Sequence, residues 1–173
     1  MIMEIRHFVH TFPPIIDQNC SVLLLGSVPS VKSTQQEFYY MHPQNRFWKV
    51  MSALFATDFL PLSPSLKAEL LLQNGVALYD AVYECDIEGS SDLKITNMIP
   101  ANIPKLIKNS SIRKIFTNGT ASYTIITKAY PELIPLTTKL PSTSPANASF
   151  SLERLLTFWN AVKEATILSK KNP

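Results

Sequence analysis

The run Cys20-Ser-Val-Leu-Leu-Leu-Gly26 constrains this chain more than any other feature. Four successive apolar side chains cannot alternate between core and water, so the run reads as a strand covered on both faces, and such strands belong to parallel sheets flanked by helices. Three further short apolar runs repeat the pattern: Val76 to Tyr79 ending at Asp80, Ile112 to Thr117 stopped by Asn118-Gly119, and Ile134 to Leu140. Between them lie stretches of helical spacing. Phe47, Trp48, Val50, Met51, Leu54 and Phe55 recur with that period from Asn45 to Ala56, and the preceding His42-Pro43 keeps the chain extended before the helix. Ser65 to Gln73 closes at Asn74-Gly75, Ile103 to Asn109 is short, Thr120 to Tyr130 ends at Pro131, and Ser151 to Leu168 is long and amphipathic. Strands alternating with helices predict a three-layer α/β/α sandwich on a central, mainly parallel four-stranded sheet. Its 173 residues suit one domain, 1–173, without internal repeats, and only the Lys170-Lys171 tail reads as frayed.

Composition narrows the function classes. Hydrophobic residues at 46% and charged residues at 17% are those of a folding chain. A net charge of +3 with a pI near 8.8 permits a nucleic-acid partner without demanding one. Cys20 and Cys85 form no Cys-x-x-Cys pair, so neither zinc nor an iron–sulfur cluster finds enough thiolates, and both read as buried apolar thiols. No metal and no cofactor are expected. His7, His10, Pro13, Pro14 and Asp17 interrupt the first residues, and no span approaches the ~20 apolar residues of a membrane helix. The expectation is a cytoplasmic protein, in which the Asn-x-Ser/Thr matches at Asn19, Asn109, Asn118 and Asn147 are chance.

Ligands of such sheets bind outside the carboxyl ends of the strands. The informative residues are therefore Gly26-Ser27-Val28-Pro29, Asp80, Asn118-Gly119 and the loop from Pro141 to Asn147. Gly26-Ser-Val-Pro-Ser30, followed by Phe38-Tyr-Tyr-Met-His-Pro-Gln-Asn-Arg-Phe-Trp48, and Leu140-Pro-Ser-Thr-Ser-Pro-Ala-Asn147 resemble the two signature motifs of the uracil-DNA glycosylase superfamily. The resemblance spans most of the chain. It is closest to the hypoxanthine-DNA glycosylase branch, also called DNA-deoxyinosine glycosylases, and the His-Pro-x-Asn-Arg-Phe-Trp run is similar to mismatch-specific relatives. At one point the sequence departs from those relatives: Val28 stands where they carry a water-positioning asparagine.

The resemblance implies that Asn45 takes over that role, since an amide both accepts and donates hydrogen bonds without holding charge. As residue type alone, Asn45 is more commonly the N-cap of the helix it precedes. Tyr40 falls where relatives set an aromatic ring against the flipped base, a contact worth ~1–3 kcal/mol. The alternative for Phe38, Tyr39 and Tyr40 is a lid packed on the core. His42 either meets the substrate or a phosphate, or bonds nearby backbone. Asp80 matches a base-reading position and would accept from N–H groups such as the protonated N1 of hypoxanthine; its plainer reading is a turn aspartate. Asn118 either adds an amide to the pocket or serves the Asn-Gly turn. In the last loop Pro141 and Pro145 stiffen the backbone, Ser142, Thr143 and Ser144 offer donors to phosphate oxygens, and Asn147 ends the motif.

The activity so implied is monofunctional base excision. A deaminated base, hypoxanthine or uracil, is flipped from damaged DNA and its N-glycosidic bond hydrolysed, with Gly26, Ser27 and Val28 holding the base. Lys32 and Lys49 read as solvent or phosphate contacts rather than Schiff-base nucleophiles. The expected state is a monomer. Because of Val28, the competing expectation is a catalytically silent member that binds DNA or a nucleobase without cleaving it.

Overall fold

The structure is a computed structural model that describes residues 4–88 and 94–172. Its elements run β1 (Ile5–Val9), β2 (Val22–Gly26), α1 (Val31–Gln36), α2 (Phe47–Phe55), α3 (Pro64–Gln73), β3 (Val76–Asp80), β4 (Val82–Glu88), β5 (Ile95–Pro100), α4 (Ile103–Ile107), β6 (Lys114–Asn118), α5 (Thr120–Ala129), β7 (Thr137–Leu140) and α6 (Leu152–Lys171).

The central sheet has the order β3-β2-β6-β7, and every pairing in it is parallel. All five residues of β2 are buried, as its unbroken apolar run requires. Its side chains divide by the period of two: Val22 and Leu24 enter the core with Phe47, Met51 and Trp159 of α2 and α6, whereas Leu23 and Leu25 enter the opposite one with Ile103 and Ile126 of α4 and α5. Helices thus cover both faces, giving the expected three layers. Among the described residues no helix is long and apolar enough to cross a membrane. Cys20 and Cys85 are both buried, and burial pushes the Cys20 thiol up to about 12.

Some boundaries differ from expectation. The fourth strand begins at Thr137 rather than Ile134, because Pro131 and Pro135 hold Pro131–Leu136 in a 3-10 helix. The helix expected from Asn45 begins at Phe47. Lys170 and Lys171, expected to fray, form the last turn of α6, where cations favour the helix dipole.

A second, antiparallel sheet of order β1-β4-β5 was not expected. Strand β4 carries Glu84, Asp86 and Glu88 among its buried Val82, Cys85 and Ile87, and two register shifts against β5 break its period. The small sheet sits over the carboxyl ends of the large one. Ala81 N–H donates to Gly26 O at 2.8 Å and Val82 N–H to Ser27 O at 3.2 Å, so the chain passes from β3 into β4 by pivoting at Ala81. Beyond β1, His10 N–H donates to Tyr83 O, which brings the His10 side chain against Asp80.

Trp159 is fully buried, packs edge-on against Phe47 and donates its indole N–H to Pro141 O at 2.9 Å. Trp159→Ala should therefore cost about 3–5 kcal/mol of stability. Leu66→Ala, at an exposed position of α3, should change it by less than about 0.5 kcal/mol. Denaturant unfolding of the two variants checks the contrast.

Candidate active site

At the carboxyl ends of β2, β3 and β6 lies a cavity of about 320 Å³. Gly26, Ser27, Val28, Tyr40, His42, Asn45, Asp80, Asn118, Ser142, Thr143, Ser144 and Pro145 all line it. Two expected residues stand back from it. Pro141 accepts the Trp159 indole through its carbonyl, and Asn147 braces its own loop by donating from Nδ2 to Ser142 O at 3.0 Å.

One wall is a hydrogen-bonded junction centred on the fully buried Thr143. Its N–H donates to Asn118 Oδ1 at 2.9 Å, its hydroxyl accepts from Asn118 Nδ2 at 2.9 Å, and the same hydroxyl donates to Asn45 Oδ1 at 2.8 Å. Both ends of the Asn118 amide are therefore used in holding the loop. Asn45 Oδ1 also accepts the Phe47 N–H at 2.9 Å, but the N-cap of α2 is Arg46, so Asn45 makes an Asx turn one residue ahead of the helix instead of the expected N-cap bond, beside its place in the pocket. A backbone N–H can only donate, which assigns the amide orientation: Oδ1 carries two donors, and Nδ2 is the atom left for a ligand.

Arg46 fastens the same wall. Its guanidinium donates to the carbonyls of Thr143, Ser144, Asn147 and Phe150, and its N–H donates to Thr143 O at 3.1 Å. The loop from Ser142 to Phe150 thus wraps one side chain from the start of α2.

The floor is formed by Gly26, Tyr40 and Asp80. A Cβ on Gly26 would stand 2.5 Å from Asp80 Oδ1 and 2.8 Å from the Tyr40 hydroxyl, so only glycine lets both oxygens reach this point. The Tyr40 ring stacks on Phe47 with centroids 4.0 Å apart, and its backbone is left-handed, φ +53°. Among the described residues its buried hydroxyl has no hydrogen-bond partner. Burial first and the Asp80 charge second push that phenol well above its ordinary range, with Asn118 acting the other way, so it stays protonated. Tyr39 and Phe38 took the lid alternative: both are buried in the core, and the Tyr39 hydroxyl donates to Pro13 O.

Asp80 is 4% exposed, and its Oδ2 lies 2.8 Å from His10 Nε2. Burial raises its pKa, and His10 opposes the rise. His42 accepts the Gln44 N–H at its Nδ1, which leaves an Nε2 proton available at the rim. Val28 packs with Phe8, Val82 and Cys85 beneath the small sheet. At the rim, Arg6 and Lys32 supply positive charge, whereas Lys49 is exposed on α2 and does not line the cavity. Sequence reading missed His10, Arg6 and the role of Arg46. The first two lie on or beside β1, whose short mixed sequence carries no strand signal; Arg46 stood within a quoted motif, but carbonyl partners leave no trace in sequence.

Residues 13–165 match the profile of the uracil DNA glycosylase superfamily. The chain belongs to that superfamily. It is 31% identical over 165 residues to a protein of Methanosarcina acetivorans named hypoxanthine DNA glycosylase, a match covering 87% of this chain and 95% of that protein. A protein of the same name from Methanosarcina barkeri is 36% identical over 84 residues, which span 49% of this chain and 53% of the relative's own length. A solution NMR structure from M. acetivorans, of a protein provisionally described as a uracil DNA glycosylase, superposes with a TM-score of 0.76 at 30% identity and covers 90% of this chain and 96% of that one. This glycosylase fold therefore carries both signature motifs at a single cavity, and the protein is a DNA glycosylase.

Thr143→Val removes the hydroxyl shared by Asn45 and Asn118 at nearly constant volume. It should destabilise the protein by about 1–3 kcal/mol, while Thr143→Ser, which keeps the hydroxyl, should cost clearly less. Comparison of their denaturation midpoints tests the junction.

Proposed function

We propose that this glycosylase is monofunctional, binds damaged DNA, and hydrolyses the N-glycosidic bond of a flipped deaminated base, with hypoxanthine the preferred substrate and uracil the second. The observation that supports this most is the convergence of Tyr40, Asn45, Asp80 and the Ser142-Thr-Ser-Pro145 loop on one cavity. Extruding a nucleotide costs a few kcal/mol, which base stacking and an inserted loop offset. Pro145 is exposed at the tip of a loop anchored from behind by Arg46, so it can press on the duplex without collapsing. Ser142, Ser144 and Asn147 belong to this DNA-facing loop, and Arg6 and Lys32 neutralise phosphates at the rim.

In the chemical step the C1′–N bond breaks, its electron pair moves onto the base, and positive charge grows on the sugar. A water oxygen then bonds to C1′, and the water proton leaves to the base. Because the sugar is already electron-deficient, the water needs placement more than deprotonation. Asn45 Nδ2, held by the two bonds to Oδ1, donates to that water oxygen. The backbone of Gly26, Ser27 and Val28 lies against the departing base, where N–H donors stabilise its developing negative charge. His42 Nε2–H serves the flanking phosphate. Val28 takes no part in placing water, which supports Asn45 in that role.

Duplexes carrying hypoxanthine, uracil, xanthine or a G·T mismatch, treated with alkali after incubation, provide the test. Hypoxanthine strands should be cut after alkali and not before it, and no scission from any substrate would contradict the reading. Asn45→Ala should lower single-turnover base release about 100-fold or more, as loss of one preorganised donor does elsewhere. A wild-type rate would remove Asn45 from the mechanism.

A further inference from the structure

His10 is fully buried between Phe8, Phe12, Tyr39 and Tyr79, on no motif that the sequence singles out. Its two ring nitrogens have different partners. Nδ1 faces Phe12 O at 3.0 Å, and a carbonyl only accepts, so Nδ1 carries a proton. Nε2 faces Asp80 Oδ2 at 2.8 Å, a contact that requires one proton between them.

That proton has two possible homes, and both give the pocket the same surface. With the proton on nitrogen, Asp80 is a carboxylate and Oδ1 has lone pairs only. With the proton on Oδ2, it is still directed at Nε2, and Oδ1 is the carbonyl oxygen of a carboxylic acid. In either arrangement Oδ1 bears no hydrogen. It has no hydrogen bond among the described residues and lies 2.5 Å from where a Gly26 Cβ would stand, on the cavity floor. Without His10, a carboxyl group this deeply buried would take up a proton that could sit on either oxygen.

We infer that His10 is a positioning residue that fixes Asp80 Oδ1 as a pure hydrogen-bond acceptor on the pocket floor, so the site selects bases presenting an N–H there and rejects bases presenting a lone pair. The inference rests on the base-excision reading above and adds to it the residue that sets discrimination. Hypoxanthine has a proton on N1, and uracil has one on N3. Adenine, the undamaged parent of hypoxanthine, has a lone pair on N1, which would face the lone pairs of Oδ1. A buried acceptor–acceptor clash of this kind rejects the wrong ligand more effectively than shape does, since two bases of nearly equal size fill the same volume. Gly26 completes the device, because a side chain there would cover Oδ1.

The test measures binding to oligonucleotides carrying 2′-fluoro-deoxyinosine or 2′-fluoro-deoxyadenosine, which resist cleavage. The cost of unstacking each base belongs to the DNA and cancels when variants are compared. His10→Phe should lower the inosine-to-adenosine binding ratio about tenfold or more. Asp80→Asn should keep most of the preference, since its amide can donate to His10 Nε2 and leave Oδ1 facing the pocket, whereas the double variant should lose it because the amide is then free to turn. A purely structural role for His10 would weaken both ligands alike and leave every ratio unchanged, and that result overturns the inference. If His10→Phe does not fold, nitrogen NMR of the wild-type imidazole decides: protonated Nδ1 agrees, and a bare Nδ1 contradicts. Wild-type protein that releases no hypoxanthine from a cleavable duplex would instead refute the base-excision reading itself.

Discussion

The candidate active site depends on the bonds that tie the start of α2 to the loop after β7. Asn45 and Arg46 stand about a hundred positions before Thr143, yet Asn45 Oδ1 accepts the Thr143 hydroxyl, and Arg46 donates to four carbonyls of the loop. These carbonyls have no β-ladder; Ser144 O and Asn147 O accept N–H groups within the loop, while those of Thr143 and Phe150 depend on donors from Arg46, and leaving them unpaired in a half-buried loop would be costly. Arg46 satisfies them with a fixed fork of donors, and no acidic side chain pairs with it among the described residues. Its positive charge therefore remains behind the loop surface proposed to meet DNA phosphates. One junction orients the amide of Asn45, stiffens the loop that Pro145 tips, and closes the cavity.

A second set of constraints holds the floor. Tyr40 occupies a left-handed backbone conformation that costs of order 1–3 kcal/mol for a residue with a side chain. Neighbours on both sides compensate: Tyr39 is anchored to Pro13, the Trp48 indole donates to Tyr39 O, and Phe47 receives the Tyr40 ring. The strain turns the Tyr40 hydroxyl inward beside Gly26 and Asp80. His10 reaches the same point from beside the small sheet, so the floor is assembled by two sheets and one loop, with polar groups set in a buried environment where hydrogen bonds are electrostatically stronger.

How much of this was legible in the sequence follows from the range of each interaction. The central strands could be read because burial on both faces leaves an unbroken apolar run, as in Val22 to Leu25, and the helices because the helical period survives in Phe47 to Phe55. The position of the site followed from parallel topology, and its residues from motif resemblance. The small sheet could not be read: β4 mixes acids with apolar residues, its period is broken by register shifts, and β1 is only five residues long. His10 was hidden for the same reason, since its partner Asp80 is 70 positions away and the contact exists only once β3 pivots into β4. Likewise Asn118 looked like a turn residue, and its two bonds to Thr143 required the parallel pairing of β6 with β7.

The central claim is that one cavity receives an extruded base against Tyr40 and Asp80 while the loop tipped by Pro145 occupies the gap in the duplex. A crystal structure of the protein with a duplex carrying 2′-fluoro-deoxyinosine measures this directly. The account predicts hypoxanthine on the Gly26 floor, its N1 within hydrogen-bond distance of Asp80 Oδ1, and Pro145 in the minor groove. A nucleotide still stacked in the helix, or a base lodged away from Gly26, Tyr40 and Asp80, would contradict it.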